Sequence, residues 1–381
     1  MKKSNFNWGP ALFLIGYHIA LLVMLPIYLF KTSPSGQLWL SAFVLLYLTG
    51  LSITVGYHRL YSHLTYKTRP VVEFLLLFFG AMATQGSALK WSFEHRIHHA
   101  FVDTDSDPYS IKKGFWYAHF LWLFEKQKPI EKRVVADLMK NRMLMFQDRY
   151  YGICMILTNA AACLFVGWLT NDYFGAFVIA GLFRLFLLHH FTWFINSLAH
   201  TWGKRTYCQE LSAVDNYIIA FLTFGEGYHN YHHTFAYDYR NGIKWYHFDP
   251  SKWIIWSLSK MGLASKLKKN QKHFIDERIL LDRKKVLLDS LQSTYFEQKE
   301  VVREKIEAFS ERAQQKLKQL KDLSEKYQSS KKAREGRVVL AQLKAQIKKS
   351  KKEYNDELEN LIASSKDIIS ASVKPKPTTA H

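Results

Sequence analysis

Cysteine is scarce in this sequence, which has three cysteines among 381 residues and no CxxC pair. Cysteine-ligated zinc or iron–sulfur sites are therefore not indicated, and no disulfide framework is visible. Charge is scarce near the N-terminus, because Lys31 is the only charged residue between positions 9 and 57. Such a stretch is typical of a membrane segment rather than of a solvated surface.

Four largely uncharged apolar stretches are long enough to cross the hydrocarbon core of a bilayer, which takes about 20 residues of helix. They are residues 11–30, 37–57, 152–171 and 174–195. The first follows Met1-Lys2-Lys3 in the manner of a signal peptide. It is too long for one and no small-x-small cleavage site follows it, so we interpret it as a retained membrane anchor.

A fifth apolar stretch, residues 71–89, is interrupted by Glu73 and Gln85. If it crossed the membrane, it would place the histidine clusters described below on opposite sides. We therefore predict a buried or membrane-skimming helix pair here, with its polar groups covered by protein.

Basic residues are distributed asymmetrically about these stretches. They are concentrated in the N-terminus, in residues 90–150 and after Lys204, whereas the link Thr170-Asn171-Asp172 has none. The positive-inside rule then places both termini and the polar region 94–150 in the cytoplasm. The sequence predicts an all-α integral membrane protein, with four transmembrane helices under a cytosolic helical cap. The sequence does not distinguish a protein of the bacterial inner membrane from one of the endoplasmic reticulum.

The composition changes near residue 271, which separates a predicted membrane domain at 1–270 from a lysine-rich tail at 271–372. Apolar residues in the tail recur every seven positions, as in a coiled-coil helix that could self-associate. One series is Ile306, Ala313, Leu320 and Tyr327; the other is Leu340, Ile347, Tyr354, Leu361 and Ile368. The series are out of phase, so a break or helical hairpin at Gly336 is expected. Residues 373–381 are predicted to be disordered.

The net charge of +20 raises the question of a nucleic-acid partner. Basic residues of the tail interleave with Glu and Asp rather than with aromatic residues, so no nucleic-acid partner is expected.

Histidine, by contrast, is abundant and clustered. Two triplets have the spacing i, i+3, i+4, which places three side chains on one face of a helix. They are His95, His98 and His99, and His229, His232 and His233; a looser pair upstream is His58 and His63. Eight clustered histidines exceed what one ordinary metal ion binds, which indicates two ions.

The upstream pair presents a difficulty, because residues five apart point about 140° away from each other on an ideal α-helix. For His58 and His63 to share a centre, the helix must end or loosen there. His200 is a ninth candidate, and Asn196 lies four residues before it, on the same side of the fourth stretch. Imidazole suits iron, zinc, copper and nickel, but a set without thiolates is unusual for structural zinc.

Four segments resemble the membrane fatty acyl desaturases, and most of all their acyl-CoA delta-9 (stearoyl-CoA type) group. They are His58-Arg-Leu-Tyr-Ser-His63, Lys90-Trp-Ser-Phe-Glu-His-Arg-Ile-His-His99, Asn196-Ser-Leu-Ala-His200 and Gly225-Glu-Gly-Tyr-His-Asn-Tyr-His-His233. Asp105-Ser-Asp-Pro-Tyr109 also resembles the segment after that family's second histidine box. The resemblance extends from about residue 10 to about residue 275.

This resemblance implies a non-haem di-iron enzyme that uses O2 and two external electrons to convert a saturated acyl chain, favoured as acyl-CoA, to a cis-monoene. The expected double-bond position is delta-9. It also implies that nine histidines bind the two iron ions and that Asn196 contacts iron through a water molecule. The nine are His58, His63, His95, His98, His99, His200, His229, His232 and His233.

The resemblance further implies a tunnel for the acyl chain. Leu46, Gly50 and Thr54 lie on one face of the second stretch, in steps of four from His58, where family residues limit chain length. For Leu46 and Gly50 a plain packing role is equally open. Trp91 matches a family tryptophan in the tunnel.

Lys90 and Arg96 are candidates for contacting the substrate head group. Phe93 stands where the animal acyl-CoA enzymes have a basic residue, and Gly86 replaces a polar one. Acyl-lipid and carrier-protein thioester substrates are therefore retained as alternatives to acyl-CoA.

The sequence lacks a GxGxxG nucleotide motif and the His-Pro-Gly-Gly haem motif of the cytochrome b5 kind. Electrons are thus expected from a separate protein, cytochrome b5 or a ferredoxin with its reductase. Two other hypotheses stay open: a lipid hydroxylase on the same scaffold, and a non-catalytic membrane scaffold whose histidines hold structural zinc.

Overall fold

The computed structural model describes residues 6–293 and 299–372. Within these ranges the regular structure is almost all helical, and its one sheet consists of β1 (Lys67–Thr68) paired antiparallel with β2 (Ala264–Ser265). The described residues form two compact units. One comprises the chain up to Arg205 with Leu211–Lys269, and the other comprises Thr206–Glu210 with the chain from Asn270. The predicted disordered end, 373–381, lies outside the described residues.

The first unit begins with two long apolar helices. Helix α1 spans Trp8–Lys31, and α2 spans Gly36–Leu51 behind Ser35, whose hydroxyl accepts the Leu38 N–H and so caps the helix. After Leu51 the helix widens into a π-helix over Ser52–Ser62. In a π-helix the N–H groups bond to carbonyls five residues earlier instead of four.

Two shorter helices follow, α3 (Pro70–Met82) and α4 (Ala88–Phe101). Helix α3 has 13 residues, so it is roughly 20 Å long, which is too short to cross a hydrocarbon core of about 30 Å. The Ser87 hydroxyl accepts the Lys90 N–H at the start of α4. The apolar stretch 71–89 thus contains α3 and the first turn of α4.

Short helices connect α4 to the next apolar helix: α5 (Phe115–His119) and α6 (Arg142–Arg149), with 3₁₀ turns at Ile111–Lys113, Leu121–Phe124, Lys132–Val135 and Leu138–Lys140. Helix α7 spans Tyr151–Thr170. The short α8 (Tyr173–Gly175) leads through a π-helical segment, Ala176–Phe183, into α9 (Arg184–Asn196) and a 3₁₀ turn, Leu198–His200. Three helices complete the unit: α10 (Tyr217–Leu222), α11 (His229–Thr234) and α12 (Pro250–Lys260).

Four helices in the described ranges are long and apolar enough to cross a membrane: Trp8–Lys31, Gly36–Ser62, Tyr151–Thr170 and Tyr173–His200. They contain or closely match the four predicted stretches. Large apolar side chains such as Leu22 and Phe30 are 74% and 94% exposed on α1, as expected for a surface that faces lipid. The predicted fold class, an all-α membrane protein with four transmembrane helices, is confirmed.

Two polar side chains within these helices show the hydrogen bonding that a hydrocarbon environment requires. Arg184 donates to Asn159 Oδ1 at 2.7 Å and to the Ala180 carbonyl at 3.1 Å. His190 connects α9 to two other helices, because its Nε2 lies 3.2 Å from His18 Nε2 and its Nδ1 lies 3.1 Å from His119 Nε2. These contacts tie α1, α5 and α9 together.

The second unit contains three long helices: α13 (Lys272–Ser293), α14 (Lys299–Lys332) and α15 (Arg337–Ser372). Helices α14 and α15 form an antiparallel hairpin with ion pairs from Arg312 to Glu357 and from Lys316 to Glu353. The turn lies at the predicted break, next to Gly336. Several residues of the two predicted seven-residue series are buried in this unit: Ile306, Ala313, Leu320, Tyr354 and Leu361.

Candidate metal centre

The π-helix brings the side chains of His58 and His63 to one side despite their five-residue spacing. The His63 N–H donates to the His58 carbonyl at 3.1 Å, which is an i+5 to i bond. Residues five apart therefore lie one above the other, and both imidazoles face the same side. Both expected solutions are used here: the helix loosens into the π form, and it ends at Ser62 with His63 as its C-terminal cap.

The other histidines come from α4, α11 and the turn after α9. His95, His98 and His99 lie on the second half of α4, and His229, His232 and His233 make up half of the six-residue α11. His200 closes the 3₁₀ turn Leu198–His200. In each triplet the spacing i, i+3, i+4 directs the three rings to one side, as predicted.

These nine imidazoles form two groups. Within each group one ring nitrogen per histidine lies within 4.8 Å of those of all the others. The first group is His58, His63, His95, His99 and His232, and the second is His98, His200, His229 and His233. Both triplets are divided between the groups, which the spacing in the sequence did not reveal.

The contacts within the groups are made by Nε2 atoms at separations of 2.9 to 3.2 Å. His232 Nε2, for example, lies 2.9 Å from both His58 Nε2 and His99 Nε2. Neutral imidazoles in such clusters cannot satisfy all their hydrogen-bonding groups with one another, because each ring has only one N–H and one lone pair. Two ligand nitrogens that bind one ion at right angles to each other, each about 2.1 Å from it, lie about 3 Å apart, which is the spacing found here. The donor atoms therefore fit a metal ion in each group.

Burial also keeps the rings in the form that binds metal. Desolvation, followed by repulsion from neighbouring imidazoles, holds the pKa well below its usual value for six of them outside the membrane helices. These are His63, His95, His99, His229, His232 and His233. A neutral imidazole offers the lone pair that a metal ion needs.

A second layer of side chains orients several rings through Nδ1. Glu226 and Asp107 accept from His58 and His98, each at 2.9 Å. A carboxylate behind Nδ1 fixes the tautomer that leaves Nε2 free for a metal. Two hydroxyl groups lie near other Nδ1 atoms: Ser212 Oγ is 2.6 Å from His200, and the Tyr109 hydroxyl is 3.3 Å from His95.

Glu226 belongs to a buried charge network. The Arg59 guanidinium donates to Glu226 Oε1 at 2.9 Å and to Asp249, and Asn241 donates to Glu226 Oε2 at 2.6 Å. Burial alone would raise the pKa of Glu226, but His58 and Arg59 together hold it below its usual value. Sequence reasoning missed this layer. Its signals were the position of Glu226 three residues before His229 and that of Asp107 in the segment after the second histidine triplet.

A cavity of about 590 Å³ lies beside both groups. Its wall includes members of each, together with Asn196, Thr54 and Trp91. Asn196 thus faces the space next to His98 and His229, as its predicted role requires. Trp91 also stacks on His95, with ring centroids 4.8 Å apart.

Two of the four predicted tunnel residues lie outside the lining of this cavity. Leu46 is part of the buried core, and Gly50 packs directly against the Phe224 ring. A Cβ atom at position 50 would lie only 2.4 Å from that ring. The packing role that was left open for Gly50 is the one that the contacts support.

The two predicted head-group residues differ in position. Lys90 lines the cavity, with its Nζ 3.7 Å from Glu94 Oε1. Arg96 does not: it binds both oxygens of Asp137, at 2.7 and 2.8 Å, and the carbonyls of Tyr61, Ser62 and Val134. Arg96 therefore holds α4 to the neighbouring segments.

Comparison with known proteins supports one family. The family model described as fatty acid desaturase matches residues 37–265. A probable acyl-CoA desaturase of Schizosaccharomyces pombe is 40% identical over 74% of this chain and 59% of its own length.

The matching part of this chain covers most of the length of two further relatives. Stearoyl-CoA desaturase 5 of Bos taurus is 33% identical over 72% of this chain and 84% of its own length. The sn-1 stearoyl-lipid 9-desaturase of Anabaena variabilis is 34% identical over 70% of this chain and 95% of its own length. On this evidence, the chain belongs to the fatty acid desaturase family.

Proposed function

We propose that this chain is an acyl-CoA desaturase that introduces a cis double bond, at delta-9, into a saturated acyl chain. The observation that carries the proposal is the convergence of nine Nε2 atoms into two groups beside a deep cavity. The names of the S. pombe and bovine relatives support acyl-CoA as the substrate.

In this proposal the two groups each hold one iron ion, and Asn196 contacts the second group's ion through a water molecule. When bound, the two ions would supply the activation of O2 and the removal of two hydrogens from an unactivated chain, which no side chain can perform. The set of nine histidines without cysteine or carboxylate ligands suits iron better than structural zinc, which favours four ligands, usually with thiolates.

The remaining residues bind and orient the chain. Thr54 and Trp91 form part of the wall next to the His58 group, so they would fix which methylenes approach it. Thr54 is itself held by a 2.6 Å hydrogen bond to Ser251. The cavity also keeps bulk water away from the reacting carbons, which limits side reactions.

An acyl-lipid substrate is the second candidate, and two observations favour it. Among the residues that the structure describes, Lys90 is the one lysine or arginine in the cavity lining, and Glu94 partly neutralises it. The phosphates of CoA would therefore have to find their cations outside this cavity. The Anabaena relative, moreover, is named for a stearoyl-lipid substrate.

The wider setting of the reaction is also proposed. Residues 1–270 form the catalytic part, with both termini and the metal centre on the cytoplasmic side, and residues 271–372 form a separate tail. In this proposal the electrons come from cytochrome b5 or from a ferredoxin with its reductase.

Product analysis in desaturase-deficient cells tests the proposal. Cells expressing the chain together with an electron donor should contain new cis-monoenes by gas chromatography–mass spectrometry, and the fragment ions should place the double bond. The His98→Ala variant should give none, whereas His273→Ala, a change in the tail helix α13, should leave the products unaltered.

Other products would redirect the assignment. Hydroxylated acyl chains would indicate a hydroxylase on this scaffold. If the membrane-inserted protein gave no new product from acyl-CoA, acyl-lipid or acyl-carrier pools, the desaturase proposal would be rejected in favour of the scaffold with structural zinc.

A further inference from the structure

The charge of the tail is strongly polarised. Between Glu325 and Glu353 the sequence has ten Lys or Arg residues and one acidic residue, Glu335. Residues 272–325 are nearly balanced, with 12 basic and 11 acidic residues, and residues 353–372 have five acidic and one basic. The interleaving of opposite charges that is typical of a solvated helix is therefore absent from one segment.

The fold concentrates this segment at one end of the hairpin. It contains the end of α14, the turn and the first half of α15. The antiparallel register is fixed by the contacts of Arg312 with Glu357 and of Lys344 with the Tyr327 ring. We call this end, residues 326–352, the basic tip.

The ten basic side chains of the basic tip are all exposed: Lys326, Lys331, Lys332, Arg334, Arg337, Lys344, Lys348, Lys349, Lys351 and Lys352. In the part of the chain that the structure describes, Lys349 makes their one ion pair, a long contact of 4.0 Å to Glu353. Lys351 in addition lies close enough to Asp276 for the two charges to attract each other. Within the described residues the other charges form no ion pair, so they repel one another and favour an external anion.

Apolar side chains stand at the same end. Val338 and Val339, in the first turn of α15, are 70% and 41% exposed. Apolar residues of α14 outside the basic tip, such as Leu317 and Leu320, are 5% and 8% exposed. Exposed aliphatic side chains surrounded by lysine and arginine suit the boundary between lipid head groups and acyl chains. An acidic protein or a nucleic acid would use the charges but not the valines.

We propose that the basic tip of the α14–α15 hairpin binds the surface of an anionic lipid membrane, with its lysines and arginines on the head groups and Val338 and Val339 among the upper acyl carbons. The same chain carries four helices able to cross a membrane, so lipid is present at high effective concentration. The tail would thereby sense the anionic lipid content of the membrane around the enzyme.

The test uses the full chain, one copy per lipid nanodisc, with Val338→Cys carrying an environment-sensitive fluorophore after Cys154, Cys163 and Cys208 are replaced by Ala. In discs that contain phosphatidylglycerol, the emission should shift to the blue and rise roughly twofold relative to pure phosphatidylcholine. High salt should reverse the change, because charge drives it.

Matched charge reversals complete the test. Lys331→Glu, Lys332→Glu and Arg334→Glu together should abolish the lipid-dependent shift. Lys305→Glu, Lys318→Glu and Lys321→Glu, an equal change on exposed positions of α14 away from the tip, should preserve it. Equal emission in both lipids from the labelled chain with its basic residues intact, or a shift that appears only when two copies share a disc, would overturn the proposal. The readout does not depend on desaturase activity.

Discussion

At the scale of single residues, the side chains behind the imidazoles are as informative as the imidazoles themselves. Glu226 accepts from His58 and Asn241 and pairs with Arg59, so one carboxylate serves both a predicted ligand and a buried cation. We expect Glu226→Gln to weaken metal binding about 10- to 100-fold, because the tautomer and basicity of His58 depend on that charge. Iron retained during titration with a chelator, measured by elemental analysis, checks this.

Glu73→Gln provides the control for that variant. Glu73 is also a partly buried carboxylate, accepting from Tyr61 and Asn141, but it contacts neither histidine group. Equal loss of iron in both variants would show that the effect of Glu226 is not specific to the metal centre.

Gly50 offers a second test at this scale. The Cβ of Gly50→Ala would lie 2.4 Å from the Phe224 ring, so overpacking should lower the free energy of unfolding by about 1–3 kcal/mol. Thermal unfolding of the purified protein measures this, with Gly16→Ala as control, since no atom lies within 4 Å of that position in α1. A changed product chain length at unchanged stability would instead restore Gly50 to the tunnel.

Sequence reasoning selected the residues of the site more reliably than their roles. Each histidine triplet faces one side of its helix, as predicted, because short-range spacing within a helix is set by local geometry. The division of the nine histidines into five and four, and the engagement of Arg96 by Asp137, depend on how distant segments meet. No local pattern carries that information.

At the scale of secondary-structure elements, the π-helix is the feature that the sequence required but did not specify. The spacing of His58 and His63 demanded a departure from the α-helix, and the long π-helical segment Ser52–Ser62 supplies it. The break near Gly336, by contrast, could be predicted, because the phase shift between the two seven-residue series is visible in the sequence.

The histidines outside the metal centre act at this scale too. His190 joins α9 to both α1 and α5, and His190→Phe removes two partly buried hydrogen bonds at once. We expect a loss of about 1–3 kcal/mol in stability with unchanged iron content. Thermal unfolding and metal analysis on the same samples distinguish this from a ligand role. His18→Phe removes the contact between α1 and α9 and a local bond to the Leu14 carbonyl, but it leaves the contact between α9 and α5. It should cost less, because one contact between helices is lost instead of two.

At the scale of the whole molecule, the metal centre links the second membrane-spanning helix, α4, α11 and the end of the fourth spanning helix. Ions that bind only the folded state stabilise it, by about 2.7 kcal/mol for each site at a hundredfold excess over Kd. We therefore expect chelation to lower the melting temperature and anaerobic Fe(II) to restore it, as measured by scanning fluorimetry. Identical melting curves with and without metal would contradict this.

The division of the two triplets has a consequence for how the centre is loaded. Helix α4 supplies His95 and His99 to one group and His98 to the other, while α11 supplies His232 to the first and His229 and His233 to the second. The first ion to arrive thus positions both helices for the second, so the two sites should fill cooperatively. Native mass spectra at half the required iron should show empty and doubly loaded molecules, with few that hold a single ion.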